Sequence, residues 1–329
     1  MTTATASTST TRSRVGWGDL LWLTWRQHRW VVSVTTALLV LGCAITLYLA
    51  TTVEAPAIDA ELFGMGYHGL AQFAAGSHWL VGVLVAVFWA APVVSREFEQ
   101  RTHLVVWGQN LTPGRWALGK IVLLGAPAVL LVAAYTQCLR TLLISLNEVA
   151  AADRTHVMYN LFDQAYEISP LVQAGYTAFG FALGFAVSAL SRNTIVSMAV
   201  TLIGYGVVRM LVTLLWRPNF ATPLRHSQPR GEIGPYDQGI EGHVMYVGGG
   251  WADTKGNEVD FPHACSRSFD TKEAMDKCLA DNGVAGYFTD YHPADRRIPF
   301  QLFETGIYVV LTAALLLLAY RLVKRSHRL

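Results

Sequence analysis

Residues 171–190 read LVQAGYTAFGFALGFAVSAL, twenty positions without one Asp, Glu, Lys or Arg, and the charge-free interval around them runs from Glu167 to Arg192. At ~1.5 Å per residue, a helical run of that length crosses ~30 Å of hydrocarbon. Two further intervals of the same kind lie between Arg29 and Glu54 and between Glu61 and Arg96. Working outward from this run gives six apolar segments: 31–50, 79–94, 121–146, 171–190, 194–216 and 300–320. The composition of all 329 residues agrees, with 52% hydrophobic and 15% charged residues and a mean hydropathy of +0.33. Soluble domains carry roughly 25% charged residues, so a soluble enzyme is excluded. A net charge of +2, with no interleaving of aromatic and basic residues, makes no case for nucleic acid.

Basic residues set the expected orientation. Arg12, Arg14, Arg26 and Arg29 precede the first segment, Arg96, Arg101, Arg115 and Lys120 lie between the second and third, and Arg321, Lys324, Arg325 and Arg328 follow the sixth. The loop 51–78 holds Glu54, Asp59 and Glu61 and no Lys or Arg. The positive-inside rule then places both termini in the cytoplasm of a multi-pass protein of the inner cell membrane. Residues 217–299 fall outside as one extracellular domain, and they carry 21 charged residues, seven Pro and ten Gly. Within it, Asp270 and Glu273 form a capping pattern and Asn282-Gly283 a stop, which predicts a helix over 271–281. The fold class expected is an all-α polytopic membrane protein, with a disordered tail over 1–16 and an interfacial helix over 17–30. Trp17, Leu20, Leu21, Trp25 and His28 share one face of that helix, although Trp22 and Trp30 on the polar side leave a plain extension of the first segment open.

Cys265 and Cys278 both lie in the outer domain and read as a disulfide, with two free thiols or a metal pair with His263 as the alternatives. No other His, Cys, Asp and Glu cluster has metal-ligand spacing. Residues 114–120 fit G-x-x-x-x-G-K, but Ile121 stands where a phosphate loop needs a Ser or Thr hydroxyl for Mg²⁺. Nucleotide binding is therefore not expected here, and Lys120 reads as a snorkelling residue. Membrane-enzyme signatures are missing, and no catalytic residue is assigned. Gly180, Gly184 and Ser188 repeat at the small-xxx-small spacing of closely packed helices. Arg140, Arg209 and Glu304 are charges within spans and need partners. Arg209 and Glu304 fall at matching depth and are expected to pair, with Arg140 as the rival partner for Glu304.

Two stretches carry a family likeness. One runs from Pro92 through Ser95-Arg96-Glu97-Phe98-Glu99-Gln100 and Trp107-Gln109 to Arg115-Trp116 and Lys120; the other runs from Cys278 through Tyr291-His292-Pro293-Ala294-Asp295-Arg296 and Phe300-Gln301 to Glu304 and Gly306. The chain resembles the permease subunits of bacterial type-2 ABC exporters, and its loop between spans five and six is similar to that of the G-subfamily of ABC transporters. The resemblance implies a second copy of the permease and two ABC ATPase subunits, which supply ATP and Mg; this chain itself holds no cofactor. It also implies that the entry helix and the loop 96–102, within a cytoplasmic coupling loop over 95–120, transmit the ATPase's movement; the stretch 96–102 is expected to be helical, with Glu97, Glu99 and Arg101 as its polar contacts to the ATPase. By position it points to Phe88, Trp89, Tyr205 and Arg209 along a transport pathway. The reading is outward movement of an amphipathic or peptide-like substrate. The alternative is a membrane anchor or sensor whose outer domain binds a ligand and signals to a cytoplasmic partner.

Overall fold

The computed structural model describes residues 16–52, 61–62, 65–102, 112–152, 159–162, 165–229, 242–266 and 271–326. Residues 1–15 of the tail expected over 1–16 lie outside them, as do Trp107, Gln109 and Asp270 of the capping pattern. Six helices are long and apolar enough to cross a membrane: Trp17–Thr52, Gly76–Glu99, Pro113–Val149, Pro170–Ser191, Thr194–Asn219 and Ala294–Arg325, spans one to six below. Each contains one of the six apolar segments. Span one is a single uninterrupted helix from Trp17, so the separate interfacial helix expected over 17–30 is replaced by the extension. Leu20 is buried and packs toward Gly119 of span three, which holds the amphipathic turn in line with the span instead of across it.

Span four is the centre of the bundle, with 67% of its apolar stretch buried, against 11% for span one and 17% for span six. The small residues explain this. A methyl group on Gly184 would lie 2.6 Å from the Ala86 carbonyl oxygen and 2.8 Å from Ala90 Cβ, so span two meets span four at backbone distance. One turn on, the Ser188 hydroxyl accepts from the backbone N–H of Val94 (3.1 Å) and of Ser95 (2.7 Å). Spans two, three and five each contain a π-helical turn, at Val85–Ala90, Ile121–Gly125 and Val212–Trp216. Spans one, five and six turn Leu38, Val40, Ile203, Met210, Val310 and Leu318 outward, an apolar surface suited to lipid or to another apolar chain.

A short hairpin, β1 (Glu61–Leu62) with β2 (Met65–Gly66), precedes the helix that becomes span two. Between spans five and six lies an insert domain that adds a sheet to an otherwise helical chain. Its strands β3 (Leu224–Pro229), β4 (Met245–Ala252), β5 (Glu258–Val259) and β6 (Gly286–His292) form an antiparallel sheet in the order β3-β6-β4-β5. Gly286 is required there, since a Cβ would collide with the Gln228 carbonyl oxygen on β3. The outer helix spans Lys272–Asp281, with Thr271 as its N-cap accepting from Ala274 N at 3.3 Å. Cys265 and Cys278, their sulfurs at bonding distance, join the segment before it to its last turn. Met245 packs with Phe162, Tyr166 and Phe300 and anchors the sheet to the bundle.

Candidate functional site

The bundle has two polar ends: the insert side, and the side where span one begins and span six ends. At the insert-side end, two buried carboxylates and two buried arginines form one network. Glu167 sits on a 3-10 turn, Tyr166–Ile168, just before span four. Arg209 Nη2 reaches Glu167 Oε2 at 2.5 Å, and Arg217 Nη2 reaches Glu167 Oε1 at 2.6 Å. Arg217 also holds Glu304 of span six, with Nε to Oε2 and Nη2 to Oε1 both at 2.9 Å. The Tyr176 hydroxyl of span four donates to Glu304 Oε1 and accepts from Arg217 Nη2 at 3.1 Å. Thr213 donates to Glu167 at 3.2 Å, and His78 Nε2 lies 3.5 Å from the same carboxylate. Arg209 stacks 3.3 Å above the Tyr176 ring and Arg217 4.4 Å above that of Tyr166.

The network corrects the expected pairing. Arg209 is bonded to Glu167 and Glu304 to Arg217, not Arg209 to Glu304, and Arg140 does not reach Glu304 either. The π turn at Val212–Trp216 supplies the reason. Its i→i+5 bonding rotates the chain less per residue than an α-helix does, which brings Arg209, Thr213 and Arg217 onto one face. Arg217 therefore takes the position facing Glu304. Burial disfavours the charged form of Glu167, but the guanidiniums of Arg209 and Arg217 and the His78 contact outweigh it and hold the carboxyl well below the usual carboxylate range. Two acids and two arginines face one another, so each buried group has a partner of opposite sign.

At the opposite end, span two closes on its neighbours. Lys120 is 3% exposed, its Nζ 2.5 Å from Glu97 Oε1 and 3.1 Å from Gln27 Oε1. It does not snorkel to water, because Glu97 and Gln27 meet it inside the bundle. Glu99 accepts from the Thr194 backbone N–H (2.9 Å) and hydroxyl (2.7 Å), so a carboxylate caps the positive end of span five. Of the three residues expected to contact an ATPase, then, Glu97 and Glu99 bind within the chain. Arg101, in a left-handed turn with φ 55°, is turned to solvent. The helix stops at Glu99 and does not run on to Thr102 as one element. Thr112 caps the helix Pro113–Lys120 by accepting from Arg115 N, so the G-x-x-x-x-G-K stretch is a helix and not a phosphate cradle.

The four pathway residues part company. Phe88 is exposed on the bundle surface, whereas Trp89 is buried and donates to Thr35 of span one at 3.1 Å. Tyr205 is buried between spans two, four and five, against Gly82, Gly180 and Phe179, and Arg209 lies in the network. These three hold the bundle of one chain together and do not face a space outside it. Among the described residues, no group of three His, Cys, Asp or Glu is placed to hold a metal ion.

The family model for ABC-2 membrane transporter-related proteins matches residues 21–217, from span one through span five to Arg217. The chain belongs to the ABC-2 membrane transporter-related family. No curated protein and no solved structure matches it. Membership makes this multi-pass chain a permease component of an ABC transporter. The matched region contains Glu97, Lys120, Glu167, Arg209 and Arg217, whereas Glu304 and the insert domain lie beyond it.

Proposed function

We propose that this ABC-2 family member is the permease of an ATP-driven exporter, in which two copies join two ATPase subunits. The family match over residues 21–217 carries the reading. The chain itself hydrolyses nothing; ATP and Mg belong to the partner. Both termini lie in the cytoplasm and the insert domain outside, in keeping with the distribution of basic residues. The end of span two receives the movement of the ATPase through Arg96, Gln100 and Arg101, which are exposed. Glu97–Lys120 and Glu99–Thr194 pass that movement to spans three and five, because the three helix ends are bonded as one plate. The substrate is an amphipathic or peptide-like molecule moved outward. Affinity purification of the full chain from its own membranes is expected to bring down an ATPase with a complete phosphate-binding loop, encoded beside this gene. Recovery of the chain with a different cytoplasmic partner and no ATPase would favour a signalling anchor instead.

A further inference from the structure

Arg140 of span three and Arg297 at the first turn of span six line one small cleft at the insert-side end, together with Ser169, Gln301 and Ile168. Both arginines are half-buried, and neither forms an ion pair or a hydrogen bond among the described residues. Lining one small cleft, they bring two like charges together. One helix N-terminus opens on the same place. Span four begins at Pro170 behind Ser169, which is 7% exposed and whose hydroxyl makes no capping bond. Unbonded N–H groups and the helix dipole make that end positive. Three positive features thus converge with no acid among the described residues to balance them, while Arg209 and Arg217 nearby form ion pairs with Glu167 and Glu304. Two like charges held together at the edge of an apolar bundle call for an anion. The enclosed space is about 10 Å³, room for one water-sized oxygen, with the body of the anion at the mouth.

We propose that this cleft is a binding site for a phosphate group, one oxygen entering between the Arg140 and Arg297 guanidiniums. The arginine fork matches phosphate oxygens, and the group comes either from a lipid headgroup or from free phosphate. The test uses the full chain in maltoside detergent, with its thermal midpoint followed during titration. The probes are phosphatidylglycerol, a neutral phosphate-free galactolipid, and inorganic phosphate against chloride at equal ionic strength. Saturable stabilisation by phosphatidylglycerol alone assigns a lipid source; stabilisation by inorganic phosphate as well assigns a free anion. Arg140→Gln and Arg297→Gln are each expected to weaken that binding by about tenfold or more, and Arg140→Lys by less. Without added anion, both Gln variants are expected to be at least as stable as the native chain, since one of two repelling charges is gone; this separates lost binding from misfolding. The proposal is overturned if neither phosphate probe stabilises the native chain saturably, if the galactolipid does so equally, or if the Gln variants bind as the native chain does.

Discussion

Glu167 is where the electrostatics of the chain concentrate, since it touches Arg209, Arg217, Thr213 and His78 at once. In the sequence it marks only the edge of a charge-free interval, and Arg217 only the start of the insert. Charges at span ends are ordinary, so neither stands out as Arg209 does in mid-span. The two-turn spacing of Arg209 and Arg217 was the available signal, and it is readable only when the π turn between them is known. The network sets a pH expectation. The Glu167 carboxyl is depressed in the folded chain, so its contribution is fully present above the unfolded value of about 4.3 and is lost only as pH falls through the lower folded value. Glu167→Gln leaves the buried Arg209 without its carboxylate, while Arg217 keeps Glu304, and is expected to cost about 3 kcal/mol. The gap in thermal midpoint between variant and native chain should therefore stay constant from pH 8 to pH 5. A gap that closes near pH 6 would show that Glu167 is protonated in the folded chain.

Among the elements, span four sets the positions of the others through Gly180, Gly184 and Ser188. That stripe was visible in the sequence because small residues at four-residue spacing have one use at a helix contact. The six spans were visible for an equally simple reason: uncharged runs of this length have few other solutions. The π turns were not, because each is one extra residue in a turn, settled by contacts with neighbouring helices. The sheet of the insert domain escaped as well. Its strands include Gly248-Gly249-Gly250 and Pro229, which have poor strand propensity, and Gly286 serves a backbone contact that no local pattern reveals. Gly184→Ala places a methyl against the Ala86 carbonyl and Ala90, neither of which is a flexible side chain. It is expected to cost about 1–3 kcal/mol. Gly206 on span five, where an added methyl would meet nothing within 4 Å, is the control and should tolerate Ala. Equal stability of the two variants in detergent melting would remove the close approach of spans two and four.

Across the whole molecule, the buried ion pairs gather toward the two ends of the bundle. At the insert side, the Glu167 network ties spans four, five and six together. His292 is buried, with Nε2 2.9 Å from the Pro218 carbonyl and Nδ1 3.1 Å from Arg296 Nη1, and burial lowers its pKa. Neutral His292 donates through Nε2 and accepts at Nδ1, which locks the last strand to both flanking spans. The stretch Tyr291-His292-Pro293-Ala294-Asp295-Arg296, which carries part of the family likeness, thus has a structural task of its own. At the other end, Glu97, Lys120, Gln27, Glu99 and Thr194 bind spans one, two, three and five, so a push on span two is delivered to all of them. The central claim is that an ATPase delivers that push at the end of span two. A photo-crosslinking amino acid placed at Arg101, exposed and outside every internal bond described above, tests it directly in native membranes, with Asn257 of the insert domain as the comparison position. The account predicts a crosslink from position 101 to a chain carrying a complete phosphate-binding loop and none from position 257; a crosslink to that chain from 257 alone, or from neither position, would contradict it.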